Sequence, residues 1–155
     1  MKFKNPLLVV SDLEKSKQFY KEVLGLRVVM DFGANVTLTG GVSLQTQETW
    51  LEFIHAQTEE LYFDNKTTEL YFEEENFDIF IQKLKTLPNI DFVHPVFEHR
   101  WGQRVVRLYD PDKHIIEVGE KLKSVCLRFL KKGLSKNEIA VRMDVPLMLV
   151  EKLLK

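Results

Sequence analysis

The chain has 155 residues, 45% of them hydrophobic and 29% charged, with a formal net charge of −1. That suffices for one ordinary domain with a real core, or for one domain and an appendage. No apolar run approaches the about 20 residues that span a bilayer. The charged start Met1-Lys2-Phe3-Lys4 lacks the apolar core of a secretory leader. A lone cysteine, Cys126, excludes an internal disulfide. A cytoplasmic protein with no membrane contact is the expectation. The near-neutral total hides an asymmetry: residues 121–155 carry nine Lys/Arg against three Asp/Glu, a net of +6, and the first 120 residues carry −7. A basic tail of this kind docks on its own acidic body, on a second copy, or on an anionic partner.

In chain order, Pro6–Val10 is a short apolar run of strand type. Ser11 and Glu14 have the spacing of a capping box, so a helix starts here. Leu13, Phe19, Tyr20, Val23 and Leu24 form its apolar stripe, and Gly25 ends it. Strands are expected at Leu26–Phe32, Val36–Thr39 and Val42–Gln47, separated by turn residues. Thr49 to Leu61 reads as a short helix with Trp50, Leu51, Phe53, Ile54 and Leu61 inward. The opening pattern then recurs. Glu69–Glu73 is strand-like, Asn76 is a helix cap, and Phe77, Phe80, Ile81 and Leu84 form a second stripe stopped near Pro88. Strands follow at about Asp91–His94, Arg104–Tyr109 and Ile115–Gly119.

The order strand, helix, three strands is therefore repeated, with Asp12 and Asn76 in matching places. A βαβββ unit cannot bury its sheet alone. The expected fold class is α+β: two such modules forming a curved mixed sheet around a cleft, the kind of place where small ligands bind. The repeats span about 1–61 and 62–120, and a basic helical extension covers 121–155.

Particular residues carry a family resemblance. Val10-Ser11-Asp12-Leu13-Glu14-Lys15-Ser16, then Phe19-Tyr20, then Val23-Leu24-Gly25-Leu26, resembles the opening of glyoxalase/bleomycin-resistance/dioxygenase proteins, the vicinal oxygen chelate superfamily. Tyr109-Asp110-Pro111-Asp112-Lys113-His114-Ile115-Ile116-Glu117-Val118 resembles their last hairpin, and Trp101-Gly102-Gln103-Arg104 fits many members. The resemblance covers residues 1–120. It implies chemistry in which a divalent ion holds two neighbouring oxygens of a substrate, as in glyoxalases, fosfomycin-inactivating enzymes, ring-cleaving dioxygenases and epimerases. Other members bind a drug without metal, so the fold leaves the function open.

By the same resemblance, the metal ligands fall on Asn5, Gln45, Glu69 and Glu117, with Ser43 the weaker choice beside Gln45. None is a histidine, and Asn, Gln and Glu are oxygen donors suited to magnesium or manganese. Two readings stand. In one, a single divalent ion sits on these four residues. In the other there is no metal, and one carboxylate is protonated or paired with Arg107. Glu69 or Glu117 then serves as a general base. Arg107, Trp101 and Tyr109 are the expected substrate-binding residues, Arg107 because its fork matches carboxylate or phosphonate. His94 and His99 are titratable loop residues. The expected function is a metal-assisted lyase, isomerase or dioxygenase acting on a small oxygen-rich or anionic molecule. The alternatives are a metal-free drug- or metabolite-binding protein and a ligand-sensing regulator. Dimerisation is implied by the resemblance alone.

In the tail, Val125, Phe129 and Leu130 form a helical stripe, Gly133 breaks it, and Ser135–Glu138 is another capping box. Cys126 falls in the stripe and is expected to be buried. Pro146 suits a first helical position. The stretch resembles the core of a helix-turn-helix, with Asp144 where the turn usually has Gly. The last helix exposes Met148, Glu151, Lys152 and Lys155, with no Asn, Gln or Arg for bidentate base contacts. A clamp on the body or on a second subunit is the favoured role, and nucleic-acid binding through 121–155 is the other.

Overall fold

The computed structural model describes residues 1–155. It contains eight strands and six α-helices: β1 (Leu7–Val10), α1 (Leu13–Leu24), β2 (Val28–Asp31), β3 (Asn35–Leu38), β4 (Ser43–Thr46), α2 (Gln47–Ile54), β5 (Glu69–Glu74), α3 (Phe77–Thr86), β6 (Phe92–Glu98), β7 (Arg104–Tyr109), β8 (Ile115–Glu120), α4 (Leu122–Lys131), α5 (Lys136–Met143) and α6 (Leu147–Leu153). The strands form two sheets of like order, β1-β4-β3-β2 and β5-β8-β7-β6. In each the first strand pairs parallel to the fourth, and the third pairs antiparallel to the second. The α+β class and the repeated βαβββ order are as the sequence indicates.

The chain divides into two compact units, residues 1–68 with 109–114, and residues 69–108 with 115–155. In the first unit α1 buries Ser16, Tyr20 and Val23, and its sheet buries Val10, Val36, Leu38 and Leu44. The cap of α1 is Asp12, whose carboxylate accepts from the backbone N–H of Lys15 at 3.0 Å. Ser11, the expected cap, instead donates both its N–H and its hydroxyl to Asp112. Gly25 closes the helix at φ 72°, a conformation open to a residue without Cβ. The helix expected over 49–61 is shorter. It stops at Ile54, where His55 turns left-handed and its N–H bonds back to Glu52, and a separate 3-10 turn covers Thr58–Glu60. Phe53 and Ile54 are consequently exposed.

In the second unit α3 buries Phe77, Phe80 and Leu84. Alternation sends Val106 and Leu108 of β7, and Ile116, Val118 and Glu120 of β8, to the same side as α3. Arg104 confirms that side, since it reaches Asp78 of α3 at 2.8 Å and lies 5.1 Å from the Phe77 ring centre. The opposite side of this sheet carries Tyr71, Val105, Arg107 and Glu117. β6 runs further than the sequence suggests, through Pro95 to Glu98, which an edge strand with register shifts tolerates.

The tail belongs to the second unit. Its helices enclose a core of Val125, Cys126, Phe129, Ile139, Ala140, Met143 and Val150. Ser135 caps α5 through the expected box with Glu138, and Asp144 takes the left-handed position between α5 and α6. No helix is long and apolar enough to cross a membrane.

Candidate functional site

The residues expected to act together fall into two sets, one in each unit. Asn5 and Gln45 belong to the first. Asn5 donates its amide to Ser43 Oγ at 2.6 Å, and Ser43 also bonds Thr37. Gln45 is buried; its carbonyl accepts from Asn35 Nδ2 at 2.7 Å and its amide nitrogen donates to Thr49 Oγ1. This face is a network of neutral amides and hydroxyls bonded to one another. Tyr109 lies in the same unit, with the Lys113 ammonium 5.1 Å from its ring centre.

Glu69, Trp101, Arg107 and Glu117 belong to the second unit, and three of them meet. The register sets Tyr71 beside Glu117 and His94 beside Arg107. Glu117 is only 6% exposed. Its Oε2 is paired with the Arg107 guanidinium and takes no further hydrogen bond. Arg107 Nε donates to Glu69 Oε2 at 3.0 Å, and Nη1 lies 3.2 Å from His94 Nε2. His94 Nδ1 is 2.7 Å from the Pro95 carbonyl. Those partners require the tautomer with its proton on Nδ1, leaving Nε2 to accept from Arg107. One cation thus lies between two carboxylates and a histidine acceptor.

From His94 a chain of rings leads along the face. Phe97 meets His94 and His99 edge-on, and His99 stacks on Trp101 with ring centres 4.1 Å apart and planes 8° apart. Burial lowers the His99 pKa, and the charge of Arg107 acts in the same direction. The imidazole is therefore neutral at neutral pH. Trp101 Nε1 donates to Gln103 Oε1 at 3.2 Å, and Gln103 Nε2 donates to Tyr71 OH at 3.0 Å and to the Glu120 carbonyl at 2.9 Å. Burial pushes the Tyr71 phenol up. A Cβ at Gly119 would lie 3.1 Å from Tyr71 OH, so glycine there lets the phenol lie against the strand. Tyr71 and Gln103 are the members that the sequence reading did not single out as site residues. Tyr71 is two positions from Glu69 on one strand, and Gln103 sits inside the Trp101–Arg104 motif, so both were within reach.

The side chains can be tested against a divalent ion. In the first unit the matching positions hold neutral groups, with the Asn5 amide nitrogen and both ends of the Gln45 amide bonded to neighbours. In the second, Arg107 occupies both carboxylates. No three His, Cys, Asp or Glu are grouped as ligands. A guanidinium and a divalent cation cannot both serve Glu117, so these residues as arranged do not fit a metal.

The sequence profile of the glyoxalase-like domain matches residues 3–123. The chain belongs to that family. Its fold is similar to that of a protein of unknown function from Agrobacterium tumefaciens, at 36% identity and TM-score 0.69, covering 78% of this chain and 94% of that one. It is also similar to a glyoxalase-related enzyme from Fulvimarina pelagi, at 17% identity and TM-score 0.65, covering 79% and 90%. A glyoxalase/bleomycin resistance protein/dioxygenase family enzyme from Burkholderia phytofirmans matches at 14% identity and TM-score 0.65, covering 76% and 96%. The last two likenesses speak to fold alone. No curated protein matches the chain. The family match ends at the start of α4, so α5 and α6 lie beyond it.

Proposed function

We propose that this chain is a metal-free small-molecule-binding member of the glyoxalase-like family, receiving its ligand on the ring-lined face of the second sheet. The observation that carries the reading is Arg107 held between Glu69 and Glu117. The guanidinium pairs with both carboxylates to which the resemblance assigns a metal, and it presents hydrogen-bonding groups beside a row of rings. Phe97, 54% exposed, and the His99–Trp101 stack offer flat apolar surface. Arg107, Glu69 and Tyr71 offer donors and acceptors around it. That combination suits a small planar molecule with polar edges.

The same reading includes a homodimer in the cytoplasm. Edge strands β2 and β6 expose Val28, Val29, Met30, Phe92, Val93 and Val96, and exposed apolar edges of this kind are normally covered. It also assigns residues 1–120 to the binding domain and 121–155 to a helical support. The exposed residues of α6 include Leu147 and Met148 rather than base-reading amides, which favours support over nucleic-acid recognition.

The test is a titration of untagged protein with manganese, magnesium, nickel and zinc under thermal-shift readout, beside a screen of planar heteroaromatic compounds. Compound binding that survives chelator and is lost in Arg107→Leu is the expected result. Stoichiometric metal whose stabilisation disappears in Glu117→Gln would overturn the reading and restore the metal-assisted enzyme.

A further inference from the structure

We infer that helix α4 is a working support of the ligand face, and that Arg128 and Phe129 are positioning residues that set the His99–Trp101 stack through Gly102. The inference rests on the ligand-face reading for its functional meaning, and on separate contacts for its geometry.

The stack sits on a tight turn. Gly102 N–H donates to the His99 carbonyl at 2.7 Å, and His99 N–H donates to the Gln103 carbonyl at 2.9 Å. Gly102 has φ +88°, and the Phe129 ring is so close that a Cβ on Gly102 would lie 2.2 Å from its Cζ. Glycine is required twice over here, by conformation and by the ring against it. Arg128 Nη2 donates to the Gly102 carbonyl at 2.5 Å. α4 therefore holds the tip of the turn from two sides, by a ring on Cα and a charged donor on the oxygen.

Both residues are themselves fixed. Glu120, 2% exposed, accepts from Arg128 Nε at 3.1 Å and Nη2 at 2.9 Å, and from Arg104 Nε at 3.1 Å. Phe129 is buried in the core of the tail with Ile139, Met143 and Val150. Arg142 of α5 lies over its ring at 5.5 Å and bonds Glu98 at the end of β6. The rings of the ligand face thus depend on helices that lie beyond the family match. Gln103 closes the circuit, linking Trp101 and Tyr71 to the Glu120 carbonyl. A bidentate arginine serving a carboxylate and a carbonyl at once has no lysine equivalent.

The experiment uses the full chain carrying Trp50→Phe, which leaves Trp101 as its single indole. A stacked imidazole quenches indole emission more strongly once protonated, so a titration from neutral to mildly acid pH reads the stack. The parent midpoint should lie below the ordinary imidazole value, with little acrylamide quenching. Arg128→Lys keeps a positive charge beside Glu120 and loses the fork. Phe129→Leu keeps an apolar core residue and frees Gly102. In either variant, with circular dichroism and a cooperative melt retained, the midpoint should rise toward about 6.5 and acrylamide access should increase severalfold. A merely structural role would lower the melting temperature without moving that midpoint. Folded variants with unchanged midpoint and quenching would overturn the inference, and if one fails to fold the other decides. Compound binding by the parent is measured separately. A parent that binds nothing, with variants that lose the stack, sinks the ligand reading and leaves the support of α4 standing. A parent that binds, with variants that keep the stack, does the reverse.

Discussion

Tyr20 and Asp110 lie ninety residues apart in sequence and share a buried hydrogen bond, the phenol donating to Oδ2 at 2.9 Å. Asp110 also accepts from the backbone N–H groups of Asp112 and His114, both at 2.9 Å, and lies 2.8 Å from His114 Nδ1. One carboxylate therefore ties the turn 109–114 to α1. Asp110→Ala should cost about 3 kcal/mol, because the buried donors are left unpaired. Tyr20→Phe should cost about 1 kcal/mol, since Asp110 keeps its other partners. Urea melts of the two variants check the ranking.

The same phenol gives a pH signature. Burial raises the Tyr20 pKa well above its ordinary value, and the Asp110 charge adds to the effect. A raised folded-state pKa contributes stability that is whole below the unfolded value of about 10 and declines as pH rises through the folded one. Stability of the parent should therefore fall in alkali, and Tyr20→Phe should soften that fall. Tyr71 and the Cys126 thiol, both raised by burial, contribute in the same direction.

Glu120 predicts the acid limb. Burial by itself would raise its carboxyl, but the Arg128 and Arg104 guanidiniums outweigh that and hold it below the ordinary range. A depressed folded-state pKa contributes stability that is whole above the unfolded value and lost as pH falls through the folded one. Glu120→Gln should cost about 3 kcal/mol near neutrality, by leaving two half-buried arginines underpaired. It should also flatten the acid limb of stability against pH. An acid limb as steep in the variant as in the parent would contradict the assignment.

Arg107→Leu should expose what the guanidinium conceals. Glu117 becomes an unpaired buried carboxylate, at a cost of about 3 kcal/mol. The variant should then be stabilised by manganese or calcium to an extent the parent is not, because a divalent cation can take the place the guanidinium leaves between Glu69 and Glu117. Parallel thermal shifts with and without chelator measure the difference.

Gly102→Ala should be among the most damaging single-methyl changes in the chain, at about 3 kcal/mol, combining left-handed strain with overlap on Phe129. Phe129→Leu in the same molecule should recover part of that cost, a coupling that a double-mutant cycle reads directly.

Local rules and the repeat made most of the fold legible. β7 lies at the expected residues, and Asn76 and Ser135 precede helices as expected. The rest turned on partners distant in sequence. Ser11 had the spacing of a cap, but Asp112, about a hundred residues on, takes both its donors, and Asp12 caps instead. Stripe residues on 49–61 suggested one helix, yet His55 turned left-handed and ended it early. In the candidate site a pairing of Arg107 with one of the two carboxylates, Glu69 or Glu117, is among the alternatives that the resemblance leaves open; that it reaches both is visible only in the structure. Gln103 and Arg128 were illegible as a unit, because a glutamine and an arginine carry no sign of which carbonyl they will reach.

Cys126 supplies a use for the burial of the tail. Its thiol is fully enclosed, 3.5 Å from the Met143 sulfur, and burial pushes its pKa up. A thiol so placed is silent until the three helices part. Because it is the chain's single cysteine, the rate at which an aromatic disulfide labels it is a clock for the opening of that one helical cluster, readable without any engineered probe.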